Sequence, residues 1–265
     1  MHQHHPRIAV KSLSALGEVL RAKSYAAGNA AFIQARLCDF IRFTEPAHRS
    51  NKTYLFDRKP DIAKMAVKSA ERRLEATLLE RFYSATVAGT FLSDIQRLVA
   101  YQVPLFAQQA KQGWGSIDLL GLGHENYPVV IELKIHHRAV EPPLRALIEA
   151  LAYMVALRHE NTWKHFGPEW SRAVGLEKVL PAPETMDAVI LGTADYWKSV
   201  SSDKYHRAGF GPLIELTKAC SQLGYRFRWA EVRAKGKDAR GAWDITGSIR
   251  DIFPDELPAS RTTFS

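Results

Sequence analysis

A chain of 265 residues with 46% hydrophobic and 24% charged residues can bury a sizeable core and keep a water-facing surface. That balance excludes a disordered or fibrous polymer, and no stretch reaches the roughly 20 consecutive apolar residues of a membrane-spanning helix. The formal net charge of +8 suits a polyanionic partner.

The positive charge is local. Nine Lys or Arg against four acids lie between Arg42 and Arg73, and six against two between Arg226 and Arg240, with the remainder near neutral. Such segments suit nucleic-acid phosphates, attracted through Coulomb forces and counterion release; a plain solvated surface is the bland alternative. Cys38 and Cys220 stand far apart with no Cys-x-x-Cys spacing, so both are read as core thiols rather than disulfide or zinc ligands. The start, Met1 to Pro6, lacks a signal peptide's apolar core, and a cytoplasmic location is expected.

In chain order, Ser12 to Phe43 has apolar residues at helical spacing, with Gly28 a candidate break between two helices. Thr44 to Asp61, with Pro46, Asn51 and Pro60, reads as a linker. A helix is predicted over Ile62 to Tyr83, its inward stripe Leu74, Leu78 and Phe82. An extended segment near Tyr101 to Ala107 contains Pro104, which restricts it to a sheet edge. A strand over Ser116 to Gly121 follows, then a Gly-bearing connection and the apolar run Val129 to Ile135, typical of a strand buried on both faces. Leu144 to Arg158 is apolar nearly all round and predicts a sandwiched helix.

Beyond it, Asn161 to Thr185 reads as a Trp- and Pro-bearing insertion. Strands are predicted over Asp187 to Gly192 and Tyr225 to Val232, with a helix over Pro212 to Leu223 between them. The tail from Lys235 onward has little periodicity and is expected to be mobile. The alternation implies an α/β fold with a mixed central sheet. Its expected division is an amino-terminal helical extension and linker over 1–61, a main domain over 62–234 and a tail over 235–265.

Chemistry concentrates in Val130-Ile131-Glu132-Leu133-Lys134, where strand alternation puts Glu132 and Lys134 on one side and Ile131, Leu133 and Ile135 on the other. Asp118, on the preceding strand, lies within a hairpin's reach of Glu132. Two carboxylates facing one point repel unless a cation intervenes, and hard oxygens suit Mg²⁺ or Mn²⁺. A lysine beside them can orient or help deprotonate water and offset charge on a phosphorane.

Ser116-Ile117-Asp118 followed by Glu132-Leu133-Lys134 resembles the PD-(D/E)XK nuclease superfamily over roughly Ile62 to Leu191, with Ile117 where that pattern has proline. The resemblance implies a restriction-endonuclease-like αβββαβ core, with an added carboxy-terminal helix and strand. It implies metal-dependent hydrolysis of DNA phosphodiesters leaving a 5′-phosphate, in defence, restriction or repair. Asp118, Glu132 and the Leu133 carbonyl would hold the metal while Lys134 assists the water.

Many members add a glutamate from the upstream helix. At about 100° per residue Glu75 lies on the face of Leu78 and Phe82, Glu71 lies close by, and Glu80 points away; a surface pair countering Lys68 and Arg72 is the alternative. RecB-like members carry Gln-x-x-x-Tyr on the following helix, matched here by Glu149 and Tyr153, with glutamate as a departure. Glu149 equally suits a pair with Arg145, and Tyr153 a core position. Ser116 and His136 are further candidates for substrate contact. A different reading keeps the fold without catalysis, as a nucleic-acid-binding module or an interaction subunit, and an oligomer or accessory protein is a further kind of expected partner.

Overall fold

The computed structural model describes residues 27–43, 53–55, 61–64, 70–83, 91–105, 116–136, 141–202, 210–237 and 241–252. The Val/Ile/Leu-rich run expected to be buried on both faces forms β3 (Pro128–Lys134), in which every residue is buried. It sits inside a six-stranded sheet of order β1-β2-β3-β4-β5-β8. The strands are β1 (Arg97–Pro104), β2 (Ser116–Leu122), β4 (Met186–Thr193), β5 (Tyr225–Val232) and the short β8 (Arg250–Asp251). A separate hairpin joins β6 (Ala234–Lys237) to β7 (Trp243–Ile245).

β1, β2 and β3 form an antiparallel meander, whereas β3, β4 and β5 are parallel and β8 returns antiparallel. The sheet is therefore mixed, as expected. β1 is an edge strand ending at Pro104, which has no N–H for a further neighbour.

Helices cover both faces. On one lies α3 (Pro143–Arg158), packed on β3 and β4, with α1 (Ala27–Phe43), α4 (Glu160–Val174), α5 (Ala194–Ser202) and α6 (Phe210–Gln222) around it. On the other, α2 (Ala70–Phe82) lays Leu74, Leu78 and Phe82 against Leu119, Ile131 and Leu133. Fourteen of the sixteen residues of α3 are buried, since it is covered by the sheet on one side and helices on the other. Each fully buried Leu or Ile there contributes about 1.5–3 kcal/mol, which makes α3 the main anchor of the core.

Several expectations change. The predicted helix over Ile62 to Tyr83 is, among the described residues, a 3₁₀ turn at Ile62–Lys64 and α2 from Ala70. Gly28 lies within α1 instead of separating helices, and residues before 27 lie outside the described ones. Within the expected linker, Tyr54 is buried, and its N–H and that of Leu55 donate to Glu169 at 2.8 and 2.9 Å.

The Asn161 to Thr185 insertion is largely the helix α4, and α5 was not foreseen. Beyond Lys235, expected to be mobile, β7 and β8 are formed because Trp243 and Ile245 tie to α2 and Ile252 bonds to Trp229; 253–265 lie outside the described residues. Cys38 is exposed on α1, contrary to expectation, because α1 turns Ala30, Ile33 and Leu37 inward; Cys220 is buried. No helix among the described residues is long and apolar enough to cross a membrane.

Candidate active site

Strand alternation brings Glu132 and Lys134 to the same side, where Lys134 Nζ lies 2.8 Å from Glu132 Oε1. Ile131 and Leu133 pack with α2 on the opposite side, while Val130 joins the α3 layer. Both polar side chains are therefore drawn into the core by the strand that carries them, with only 4% and 7% of their side-chain surface exposed.

Asp118 reaches the same place from β2. The register Leu119 with Ile131 makes Asp118 and Glu132 the next facing positions, and the regular ladder ends there. The Leu133 N–H instead donates to Asp118 Oδ2 at 2.9 Å, so the carboxylate caps the point where the two strands part. Glu75 of α2 completes the group, 1% exposed, bonded by Gln102 Nε2 at 2.7 Å; the same amide lies 3.4 Å from Asp118 Oδ1.

Gln102 has φ of 48°, the left-handed region that costs a non-glycine residue about 1–2 kcal/mol. The consequence is visible in packing: Tyr101 joins the α2 layer but Val103 joins the α3 layer, so alternation breaks between them. Across the ladder, Leu119 joins the α2 layer and Ile117 the α3 layer. Since Tyr101 pairs with Leu119 and Val103 with Ile117, both breaks fall on the single row of Gln102 and Asp118.

The electrostatics follow from burying like charges together. Burial, then the charge of Glu75, pushes Asp118 well above the usual carboxylate range; burial, then Asp118, does the same for Glu132. Glu75 is pushed up to about 8 by burial, opposed by the Gln102 hydrogen bond and reinforced by Glu71 and Glu132. Glu132 Oε2 is buried without a hydrogen-bond partner. Lys134 behaves oppositely: burial would lower its pKa, but Glu132, Glu149 and Glu141 outweigh burial and hold it well above its ordinary value.

Lys134 is surrounded. Besides Glu132 it meets Glu141 Oε2 at 2.9 Å and Glu149 Oε2 at 3.1 Å. Arg145 bridges the latter two, touching Glu141 Oε1 and lying 3.1 Å from Glu149 Oε1. Burial would raise the Glu149 carboxyl, but Lys134, a hydrogen bond shared with the Glu132 carboxyl and then Arg145 hold it below its ordinary value.

Of the sequence candidates, Asp118, Glu132, Lys134, Glu75 and Glu149 are thus brought together. Glu71 is half-buried and its pKa is raised by burial, with Lys134 the leading charge acting against that, which puts it in the same field. Glu80 is exposed on the other side of α2, as the helix geometry required. Tyr153 is buried, its pKa raised by burial and then by Glu132 and Glu149. Leu133 contributes its N–H, its side chain being buried on the far face.

Ser116 starts β2 opposite Pro104, two residues before Asp118. His136 is exposed and its Nδ1 faces Ser199 Oγ at 2.8 Å rather than a carboxylate. Gln102 and Glu141 were not among the candidates, whereas the Arg145–Glu149 pair was foreseen and forms. Glu141 stands four residues before Arg145, but Pro142 and Pro143 mark a helix start between them and leave it outside the helix.

In the basic segment from Arg226, three arginines meet acids. Arg226 pairs with Asp187 at 2.6 Å, Arg228 with Asp94 at 2.6 Å, and Arg233 and Arg250 share Glu231. Much of Arg42 to Arg73 lies outside the described residues. Trp163, Trp170 and Trp197 are core residues whose indole N–H groups donate to the carbonyls of Leu180, Asn126 and Ala230.

Asp118, Glu132 and Glu75 are buried carboxylates that raise one another's pKa, and hard oxygens of this kind are the ligand type a divalent cation takes. Among the described residues no three His, Cys, Asp or Glu side chains converge as a finished ligand cage; the Gln102 amide bridges two of the carboxylates instead. In comparison with known proteins, no family model, no curated protein and no solved structure matches the chain.

Proposed function

We propose that this chain is a divalent-metal-dependent nuclease acting on DNA, with a restriction-endonuclease-like arrangement of its α/β core. The observation that carries the reading is the burial of Asp118, Glu132 and Glu75 within one another's electrostatic field where β2 and β3 part, with Gln102 bridging Glu75 and Asp118 and Lys134 in contact with Glu132. Carboxylates buried this close together must either keep a proton or gain a cation, and the raised pKa values of Asp118, Glu132 and Glu75 mark a group that a divalent cation would relieve at neutral pH.

Asp118, Glu132 and Glu75, with the Leu133 carbonyl, would hold Mg²⁺ or Mn²⁺, which supplies Lewis-acid polarisation of a phosphate oxygen and an acidified water. Lys134 presents fixed positive charge beside the reacting phosphate and offsets the charge that grows on its oxygens. Glu149 and Glu132 hold that ammonium from two sides, so it arrives already oriented. Gln102 aligns Glu75 with Asp118, and the buried Tyr153 lies within the field of Glu132 and Glu149.

The test is incubation of the purified chain with linear, circular and single-stranded DNA and with RNA, in Mg²⁺, Mn²⁺ or chelator. Cleavage dependent on metal and lowered about a hundredfold or more in both Asp118→Ala and Lys134→Ala is expected. Cleavage in chelator, or undiminished cleavage by both variants, would sink the mechanism. Binding without cleavage under every condition would make the chain a nucleic-acid-binding module instead.

A further inference from the structure

An ammonium has three N–H groups, and those of Lys134 face three carboxylates, Glu132, Glu141 and Glu149, at 2.8, 2.9 and 3.1 Å. A substrate oxygen can reach this nitrogen only if one of them leaves. Glu132 and Glu149 are rooted in β3 and α3 and keep only 4% and 8% of their side-chain surface exposed. Glu141 stands outside any helix or strand and keeps 27%. It is the one carboxylate that can swing into water without uncovering the core.

Its backbone need not move. The Tyr196 hydroxyl donates to the Glu141 carbonyl at 2.9 Å, which fixes the main chain and leaves the side chain as the mobile part. Its two oxygens are divided between two cations, Oε2 on Lys134 and Oε1 on Arg145. Two oxygens of one anion shared between an ammonium and a guanidinium is also how a phosphate with two non-bridging oxygens would sit. Arg145 is 37% exposed and accessible to such a ligand.

We infer that the Glu141 carboxylate occupies the seat of a substrate phosphate, and that Arg145 is a phosphate-contacting residue released when nucleic acid displaces it. This rests on the nuclease reading. Closing the site with an internal anion keeps two cations neutralised in the free protein. Apparent affinity is reduced by the fraction of molecules so closed.

The experiment measures binding of a short fluorescein-labelled DNA duplex by anisotropy, in chelator so that none is cut, over a series of salt concentrations. Glu141→Gln keeps the shape and removes the charge, and should bind about fivefold or more tightly. Arg145→Ala should bind about tenfold more weakly and lower the salt slope by about one, with Arg145→Lys recovering part of the loss. The double variant should bind less tightly than Glu141→Gln, because the vacated seat has then lost one of its two cations.

Unchanged or weaker binding by Glu141→Gln, at a melting temperature equal to that of the unaltered protein, would overturn the inference. So would unchanged binding by Arg145→Lys and Arg145→Ala together. If the unaltered chain cleaves DNA while these variants behave so, only this inference falls. If the unaltered chain neither binds nor cleaves, the nuclease reading falls and takes this one with it.

Discussion

Gln102 combines a backbone angle that a non-glycine residue avoids with a side chain that spans two carboxylates. Strain of about 1–3 kcal/mol persists only where surroundings over-determine it, here the apolar anchors Tyr101 and Val103 on opposite faces. The two aspects can be separated. Gln102→Gly keeps φ accessible and loses the amide, whereas Gln102→Ala loses both. The proposed nuclease activity should fall equally in the two, while denaturant titration should find the glycine variant more stable by about 1 kcal/mol. Equal stabilities would mean the angle carries no strain.

At the scale of elements, the site depends on how closely α5 folds over the end of β4. Gly192 pairs with Lys134 across the β3–β4 ladder, and a β-carbon there would stand 2.5 Å from Trp197 Nε1 and 2.6 Å from the Tyr196 ring. Both rings are buried, so neither can step aside into solvent. Gly192→Ala should therefore cost about 1–3 kcal/mol by overpacking, read as a lower melting temperature, and should shift the Tyr196 contact to Glu141. Gly211, in the first turn of α6, has nothing within 4 Å of a built β-carbon. Gly211→Ala should leave stability unchanged or raise it by up to about 1 kcal/mol, and a loss there would contradict the packing argument.

For the whole molecule, the carboxylate group links stability to pH. Glu75 is raised to about 8, and Asp118 and Glu132 are raised above their ordinary values, first by burial. An unfolded chain releases these protons near pH 4–5 while the folded chain keeps them, so the folded state binds more protons in between. Stability of the metal-free protein is then greatest below that range and declines as pH rises toward 8. Thermal melts in chelator should decline from about pH 5 to about pH 8, and Mn²⁺ or Mg²⁺ should raise the melting temperature more at the upper end, by binding the folded state alone. A flat or rising profile in chelator would show that these groups are already ionised.

The sequence by itself determined those features that depend on local periodicity. The apolar run of β3 fixed a doubly buried strand, alternation put Glu132 and Lys134 on one side, and a turn of 100° per residue chose Glu75 over Glu80. Pro104 marked an edge, and β5 follows its predicted bounds. What only the tertiary structure decided is whatever depends on two distant segments meeting. Gln102 faces Asp118 through the register of β1 with β2, and Glu141 joins Lys134 across a prolyl helix start. The strands beyond Lys235 form because α2 and β5 offer partners, and the arginines of β5 find acids on other elements. Short-range spacing is written in the order of residues, whereas which charge meets which carboxylate is set by the folding of the whole chain.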